Sequence, residues 1–251
     1  MNAKKIIGVV GGMGPYAGID LLRKILSQTK ATCDQDHLPV FMLSVPHSIP
    51  DRTEFLLGKS DVNPALAISE VICTLYKNGA SVIGMPCNTA HAAPIFSEII
   101  NRIPKEVKLI HMINEVAEYI KERYPSVVKV GILSTTGVLV SHVYPNCLSQ
   151  YGLVGIQVSE EIQKRHIHPA IYSTNYGIKA WSSPVTAQAK KDLHTGIEYL
   201  VSKGVEAVIL GCTEIPLALT DNEIKGIPLI DATKVLARAL ILESSPEDLL
   251  E

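Results

Sequence analysis

Two cysteines occupy similar positions in the two halves of this sequence. Cys87 follows the short apolar run 80–83, and Cys212 follows the run 205–209. Short apolar runs of this kind predict buried strands of an α/β sheet. Because open α/β sheets place their functional residues at the carboxyl ends of the strands, both thiols are well positioned for chemistry.

Polar residues follow each thiol where a helix is expected to begin. Asn88 and Thr89 come after Cys87, and Thr213 comes after Cys212. Free backbone N–H groups at a helix start favour a thiolate and can also hold a carboxylate. Two thiols on opposite faces of one carbon could therefore invert a stereocentre, one removing a proton and the other returning it. Alternatively, both are small buried residues that pack the end of a sheet.

The other three cysteines, Cys33, Cys73 and Cys147, have no comparable surroundings. An odd number of cysteines without Cys-x-x-Cys spacing indicates free thiols, and neither a disulfide framework nor a zinc ribbon. We therefore expect these three to be structural.

The pattern of predicted elements occurs twice along the chain. Strand 6–10 enters a glycine-rich turn at 11–14, and strand 127–133 enters a similar turn at 134–137. The interval between these strands nearly equals the interval between the two cysteines, and such agreement predicts an internal duplication.

Two similar α/β domains are therefore expected, each with a mainly parallel sheet flanked by helices. We predict that the first comprises residues 1–110 plus 231–251 and the second residues 111–230. A pseudo-twofold relation between them would place the active site in an interdomain cleft.

Further elements follow from apolar periodicity and from the positions of glycine and proline. The predicted helices cover 16–28, 65–77, 93–101, 115–123, 141–148, 192–203 and 232–242. The remaining predicted strands cover 39–45, 107–111, 155–158 and 227–230.

Arg52 and Lys179 are the cations best suited to bind a second carboxylate. Arg52 lies in a proline-rich loop after the predicted strand 39–45, and Lys179 lies in the irregular stretch 175–183. Binding residues concentrate on loops. Arg captures a carboxylate with two parallel hydrogen bonds, whereas Lys makes a point contact. The alternative for both residues is a solvated surface charge.

The composition describes an ordinary globular protein, with 251 residues, 47% hydrophobic, 19% charged and a net charge of -2. No basic face is indicated, so we expect no nucleic-acid partner. The apolar runs are shorter than the ~20 residues that span a bilayer, and the amino terminus lacks a signal-peptide pattern. We therefore expect no membrane association and a cytoplasmic location.

Residues 12–17 also match the G-x-G-x-x-A form of a dinucleotide fingerprint after a strand. Such a site would need an acidic residue at the end of the second strand, and residues 44–47 supply none. A nicotinamide oxidoreductase is therefore the weaker alternative, and we expect no cofactor.

Metal binding is another alternative, because Cys87 and His91 lie four residues apart and His111, Glu214 and Asp231 could lie nearby. A single Cys-x-x-x-His spacing is rarely a metal site, so we expect none. His91 could instead help to set the pKa of the Cys87 thiol, or it could be a structural histidine.

Two more histidines, His166 and His168, lie in the charged segment 160–168. Both are expected to be solvated.

The chain contains, in this order, the motifs IGVVGGMGP, PDRT, PCNTAH, GILSTTG, YGIK and LGCTEIPL. Together they extend over essentially the whole chain and resemble the aspartate racemase branch of the aspartate/glutamate racemase superfamily. Members of that family are cofactor-independent racemases with two α/β domains, and they commonly form homodimers. The resemblance implies the same properties here.

The resemblance also implies roles for individual residues. Cys87 and Cys212 would be the catalytic acid/base pair. The residues directly after each cysteine would contact the α-carboxylate of an amino acid, and the two cations would contact its distal carboxylate. The predicted substrate-contacting residues are Met13, Arg52, Asn88, Thr89, Ala90, Thr135, Lys179, Thr213 and Glu214.

The predicted function is interconversion of L- and D-aspartate. The glycine turn at 11–14 lacks the acidic residue that glutamate racemases of the superfamily have there, which argues against that branch. Glu214 could contact the substrate amine or orient Cys212. The alternatives are a broad-specificity or glutamate-preferring racemase, and a non-catalytic two-lobe protein that binds carboxylates.

Overall fold

The computed structural model describes residues 4–250. These residues form two compact units. The first unit contains the described residues up to Glu115 together with those from Thr233 onwards, and the second is Val116–Ala232.

The first unit contains a four-stranded sheet in which all neighbouring strands are parallel, in the order β2-β1-β3-β4. Its strands are β1 (Ile6–Gly11), β2 (Val40–Ser44), β3 (Ala80–Gly84) and β4 (Lys108–Leu109). Its helices are α1 (Pro15–Gln28), α2 (Arg52–Leu56), α3 (Ala65–Lys77) and α4 (Ala93–Arg102).

Local sequence accounts for the bounds of these elements. Pro15 opens α1, where its missing N–H costs nothing. The Asn63 side chain accepts a hydrogen bond from the Ala65 N–H at 2.9 Å and starts α3. Gly79 ends this helix with a φ of 98°. The predicted helix 65–77 is therefore confirmed.

The second unit contains a five-stranded sheet in the order β6-β5-β7-β9-β8. Its strands are β5 (Lys129–Ser134), β6 (Val154–Gln157), β7 (Ala207–Gly211), β8 (Glu223–Ile224) and β9 (Ile227–Asp231). The four strands β6, β5, β7 and β9 are parallel to their neighbours. They repeat the strand order of the first sheet, as the duplication predicted. The strand β8 is added antiparallel to β9 through a two-residue turn, in which Lys225 and Gly226 have φ of 54° and 75°.

Helices surround this second sheet. They are α6 (Thr136–Ser141), α7 (Val143–Gln150), α8 (Glu160–Ile162), α9 (His168–Tyr172), α10 (Ala187–Ser202) and α11 (Ile215–Ala218). A wide π-helical turn, Gln163–Ile167, joins α8 to α9.

Two long helices lie where the chain passes from one unit to the other. They are α5 (Met112–Arg123) and α12 (Ala232–Ser244). Within residues 4–250, no helix combines the length and the hydropathy that crossing a membrane requires. Two mainly parallel α/β sheets flanked by helices confirm the predicted fold class.

The structure corrects three element predictions. The predicted helix 141–148 is interrupted at His142, whose left-handed backbone has a φ of 50°. The predicted strand 107–111 pairs only over Lys108–Leu109. Helix α10 begins at Ala187 because the Thr186 hydroxyl accepts a hydrogen bond from the Ala189 N–H at 3.2 Å, a cap that the predicted start at 192 missed.

Candidate active site

Cys87 lies three residues beyond the end of β3 and is 4% exposed. Its backbone N–H donates to the Met85 carbonyl at 2.8 Å, which closes the turn. Residues Asn88–His91 then form a single 3₁₀ turn, where the sequence led us to expect the start of a helix. The predicted contacts Asn88, Thr89 and Ala90 are all buried in this turn.

The His91 side chain stabilises the turn by a hydrogen bond to the Cys87 backbone. Its Nδ1 donates to the Cys87 carbonyl oxygen at 2.9 Å. Burial, and to a smaller extent the neighbouring His111, lowers the pKa of His91 to about 3. His91 is therefore neutral and adds no positive charge beside the thiol. Of the two roles expected for this residue, the structural one is supported.

Arg52 is the first residue of α2 and is 8% exposed, so the solvated alternative is wrong for this residue. Asp51 caps the helix by accepting a hydrogen bond from the Glu54 N–H at 2.9 Å. The guanidinium donates from Nη1 to the Pro50 carbonyl at 3.0 Å. Because α2 contacts the 3₁₀ turn 88–91, the unit brings Arg52 and the turn after Cys87 onto neighbouring elements.

Met13 follows β1 and is 2% exposed. It shares one buried apolar cluster with Cys87 and Ala90. Met13, Arg52 and Cys87 therefore follow the carboxyl ends of three neighbouring parallel strands.

The glycine turn beside Met13 is explained by chain packing. Gly12 has a φ of 97°, and a Cβ there would lie 3.0 Å from the Pro46 nitrogen. The backbone that follows β2 therefore requires a glycine at this position. The partial dinucleotide fingerprint has a structural explanation that involves no bound phosphate.

Cys212 directly follows β7 in the second unit and is 3% exposed. Its Sγ donates to Glu214 Oε2 at 3.0 Å, and Glu214 Oε1 accepts from Lys179 Nζ at 2.6 Å. Glu214 is also 3% exposed, and Thr213 between them is 2% exposed. The structure thus brings together four of the predicted site residues of this unit.

The charges around Cys212 favour the protonated thiol. Burial raises the pKa of Cys212 well above its ordinary value, and the Glu214 carboxylate raises it further, while the Lys179 ammonium opposes both. Burial alone would lower the pKa of Lys179, but Glu214 and Cys212 hold it above its usual range. The expected preference for a thiolate is therefore wrong at Cys212. The helix that follows, Ile215–Ala218, is only four residues long.

Lys179 is held in place by both its backbone and its side chain. Its N–H donates to the Ile171 carbonyl at 3.1 Å, which ties the irregular loop to α9. Its Nζ lies 5.6 Å from the centre of the Tyr172 ring. That ring stacks on His168 at 4.9 Å, and His168 Nδ1 lies 3.1 Å from the Thr136 hydroxyl.

The structure corrects the expectation that His166 and His168 are solvated. Both are partly buried, and His166 Nδ1 lies 2.7 Å from Asp192 Oδ1. Sequence reasoning missed His168 and Tyr172 as supports for Lys179. Their four-residue spacing on α9 was the available signal, because side chains at this spacing share one helix face.

Thr135 caps α6 by accepting a hydrogen bond from the Val138 N–H at 3.3 Å. The neighbouring turn is fixed by Gln163, whose Nε2 donates to the Ser134 carbonyl at 3.1 Å and to the Thr136 hydroxyl at 3.2 Å. This contact was not predictable from local sequence, because it depends on the π-helical turn that orients Gln163.

The structure also bears on the metal alternative. Across residues 4–250, no group of three or more His, Cys, Asp and Glu side chains is arranged to hold a metal ion. Each unit instead presents a buried thiol at the end of its third strand in chain order, and the second unit surrounds its thiol with a carboxylate and an ammonium.

Comparison with known proteins gives consistent results. The model of the Asp/Glu/Hydantoin racemase family matches residues 10–240. The broad specificity amino-acid racemase RacX of Bacillus subtilis is 26% identical over 240 residues, which cover 94% of this chain and 96% of the relative.

Solved structures extend the comparison. The aspartate racemase of Picrophilus torridus is 30% identical and superposes with a TM-score of 0.80, covering 98% of this chain and 96% of that one. A glutamate racemase of Francisella tularensis in complex with D-glutamate shares the fold, with 16% identity, a TM-score of 0.67, and coverage of 97% and 82%. With a family match over most of its length, this chain belongs to the Asp/Glu/hydantoin racemase family and is an isomerase.

Proposed function

We propose that the protein interconverts L- and D-aspartate without a cofactor, and that Cys87 and Cys212 are its two acid/base groups. The main observation in support is the Cys212 site, where a buried thiol donates to Glu214 at 3.0 Å and its pKa is raised. A thiol with these properties is protonated at neutral pH, as the acid of a two-base reaction must be at the start. A second buried thiol, Cys87, stands near the end of the corresponding strand of the other sheet.

In the proposed reaction, one sulfur acts as a thiolate and removes the α-proton of the amino acid. The electron pair of the broken C–H bond spreads into the α-carboxylate, and the other thiol then gives its proton to the opposite face of the carbon. The electron pair of that S–H bond stays on sulfur. Cys212 would be the acid for one enantiomer and the base for the other, with Cys87 in the opposite role each time.

Substrate binding would use the residues around each thiol. We assign Asn88, Thr89 and Thr213 to the α-carboxylate, where their donors would also stabilise the charge that develops as the proton leaves. Met13, Ala90 and Thr135 would complete the contact surface. All six are buried beside the ends of sheet strands.

The distal carboxylate would bind to Arg52 and Lys179. Arg52 is buried at the start of α2, and α2 contacts the turn after Cys87, so Arg52 would lie near a substrate bound at that turn. An ammonium has three N–H donors, and the hydrogen bond from Lys179 to Glu214 uses one of them. We assign Glu214 to Cys212 and not to the substrate amine, because its two carboxylate oxygens face Cys212 and Lys179.

Isotope exchange tests the proposal. The protein is incubated in deuterated water with L-aspartate or D-aspartate, and the α-proton signal and optical rotation are followed. We expect both enantiomers to lose the α-proton and to approach the racemate. If aspartate stabilises the protein against heat but the α-proton of aspartate is never exchanged, the protein is a binding protein and the proposal is wrong.

Broad specificity is the second candidate, because the relative from Bacillus subtilis matches over almost the whole chain. Parallel assays with glutamate, alanine and lysine separate the two candidates. Preference for aspartate by at least about tenfold in kcat/KM, about 1.4 kcal/mol, would support the first candidate. Comparable rates with alanine and lysine would favour the second, and a preference for glutamate would reject both.

We further propose a homodimer, as the resemblance implies, and a cytoplasmic location. Light scattering of the purified protein tests the assembly, and a monomer at micromolar concentration would contradict it. Fractionation of the source cells tests the location.

A further inference from the structure

Lys179, Glu214 and Cys212 form a continuous series of charged and polar groups. Nζ of Lys179 lies 2.6 Å from Oε1 of Glu214, and Sγ of Cys212 lies 3.0 Å from Oε2. The Thr213 hydroxyl also donates to Oε2, at 3.5 Å, so the two carboxylate oxygens have different partners. Glu214 and Cys212 are each 3% exposed, and the side chain of Lys179 is 24% exposed.

A single proton shared between sulfur and carboxylate should stay on the sulfur. Glutamic acid is ordinarily about four pKa units more acidic than a thiol. The ammonium of Lys179 on the other oxygen favours the ionised carboxylate still more. An ionised carboxylate can only accept a hydrogen bond, so the thiol must be the donor.

Other groups near this series do not reverse the assignment. Burial raises the pKa of Tyr144 well above its ordinary value, and the charges of Asp231 and Cys212 act in the same direction. The Tyr144 hydroxyl is therefore neutral. Tyr172 presents a ring to Lys179, which suits an ammonium.

We propose that Glu214 is a positioning residue that keeps Cys212 in the thiol form at rest, and that Lys179 keeps Glu214 ionised so that it can do so. The inference deepens the proposed racemase function and rests on it for its catalytic consequence. The state of the thiol can nevertheless be measured without any substrate.

The catalytic consequence is that the enzyme forms with a Cys212 thiol and with a Cys212 thiolate are unequally populated. When Cys212 gives its proton to the α-carbon, the S–H bond breaks, a C–H bond forms and the electron pair stays on sulfur. The resulting thiolate lies beside a buried carboxylate, and two like charges at this distance repel. In the free enzyme, the form with a Cys212 thiol is therefore favoured over the form with a Cys212 thiolate.

Alkylation of Cys212 tests the assignment. Iodoacetamide reacts with thiolates, and peptide mass spectrometry follows Cys212 separately from the other cysteines. In the variant Glu214→Gln the carboxylate charge is gone while the ammonium remains. We expect the pH midpoint for alkylation of Cys212 to fall by at least one unit, which makes the reaction about tenfold faster at pH 7.5.

Two further variants make the result specific. Glu198→Gln removes an exposed carboxylate of the same unit, paired with Lys225 at 3.5 Å, and should leave the midpoint unchanged. The double variant Glu214→Gln, Lys179→Met should lose most of the shift, because Lys179 is what stabilises the thiolate once the carboxylate is removed. An unchanged midpoint in Glu214→Gln, or an equal shift in the double variant, would overturn the inference.

Wild-type protein supplies the test if Glu214→Gln does not fold, as judged by circular dichroism. Its Cys212 should then alkylate with a midpoint above the value of about 8.5 for a free cysteine, and a lower midpoint would contradict the assignment. In a folded variant that racemises aspartate, the alkaline limb of the kcat/KM profile should move down with the thiol midpoint. A protein that shows the thiol shift but exchanges no amino acid would keep this inference and refute the proposed function.

Discussion

The turns after Cys87 and Cys212 occupy corresponding places in two sheets with the same strand order, yet their chemical surroundings differ. The first turn is fixed by a neutral histidine that donates to the Cys87 backbone carbonyl. The second contains a carboxylate and an ammonium in series with the thiol. The two units therefore share a strand order while the charges around their thiols differ. A two-base reaction can use this difference, because its two thiols must begin in opposite protonation states.

The largest expected effect is the loss of either sulfur. Cys87→Ala and Cys212→Ala should each reduce racemisation about 10²–10⁴-fold, which is the contribution of a general acid–base group. Each variant should keep some α-proton exchange with the one enantiomer that its remaining thiol can deprotonate. Deuterium exchange monitored by NMR with each enantiomer separates the two activities.

The exposed Cys33 supplies the control for this pair. Cys33→Ala should racemise at the wild-type rate. If Cys87→Ala or Cys212→Ala also did so, the substituted cysteine would not be an acid/base group of the proposed reaction.

The next effect concerns substrate selection by the first unit. Arg52→Ala should lower kcat/KM for aspartate about 10²-fold, since a hydrogen bond to a charged group contributes about 1.5–3 kcal/mol. The exchange of alanine, which has no distal carboxylate, should change far less. Arg102→Ala, which removes an exposed arginine paired with Glu98, is the matched control. Equal losses for aspartate and alanine would contradict the role assigned to Arg52.

The third effect is a dependence of stability on pH that originates at the first turn. The pKa of His91 is about 3 in the folded protein and about 6.5 in the unfolded chain. Between about pH 3 and pH 6.5 the imidazole is therefore protonated in the unfolded chain and neutral in the folded protein. Stability is therefore lost as pH falls from about 6.5 towards 3. His91→Asn should reduce the loss between pH 7 and pH 5 by about 2 kcal/mol in urea unfolding.

His142→Asn is the control for that experiment, because His142 is exposed and Asn tolerates its left-handed backbone. It should keep the wild-type dependence on pH. An unaltered dependence in His91→Asn would show that His91 is not the buried neutral histidine described above.

The smallest effect tests how α2 presents Arg52. Asp51→Ala removes the cap of α2 and should cost about 1 kcal/mol of stability, with a severalfold rise in KM for aspartate and little change in kcat. Ser159→Ala removes the corresponding cap of α8 in the second unit and should cost a similar amount without the rise in KM. Steady-state kinetics and thermal unfolding of both variants check the pair.

Regular features of the molecule were predictable from the sequence. The repeat, the strands that precede both cysteines and the bounds of α3 follow from patterns of apolar residues, glycine and proline that are local in the chain. The two cysteines were identified for the same reason, because each directly follows such a pattern.

Contacts between residues distant in sequence were not predictable in this way. The burial of Arg52 depends on how α2 lies against the turn 88–91, and the pairing of Lys179 with Glu214 joins residues 35 positions apart. The raised pKa of Cys212 depends on its burial and on the Glu214 carboxylate, whereas the local pattern indicated the opposite shift. Tertiary packing thus decided the charges of the site after local sequence had decided its position.

The short hairpin that adds β8 to the second sheet also has a consequence for solubility. Without it, β9 would offer its outer row of amide and carbonyl groups to any extended chain, which is a common start of aggregation. The pairing of Glu223 and Ile224 with Pro228 and Ile227 covers the start of that row, and β8 itself offers an incoming strand only two residues. Removing the hairpin should therefore promote aggregation before it affects racemisation.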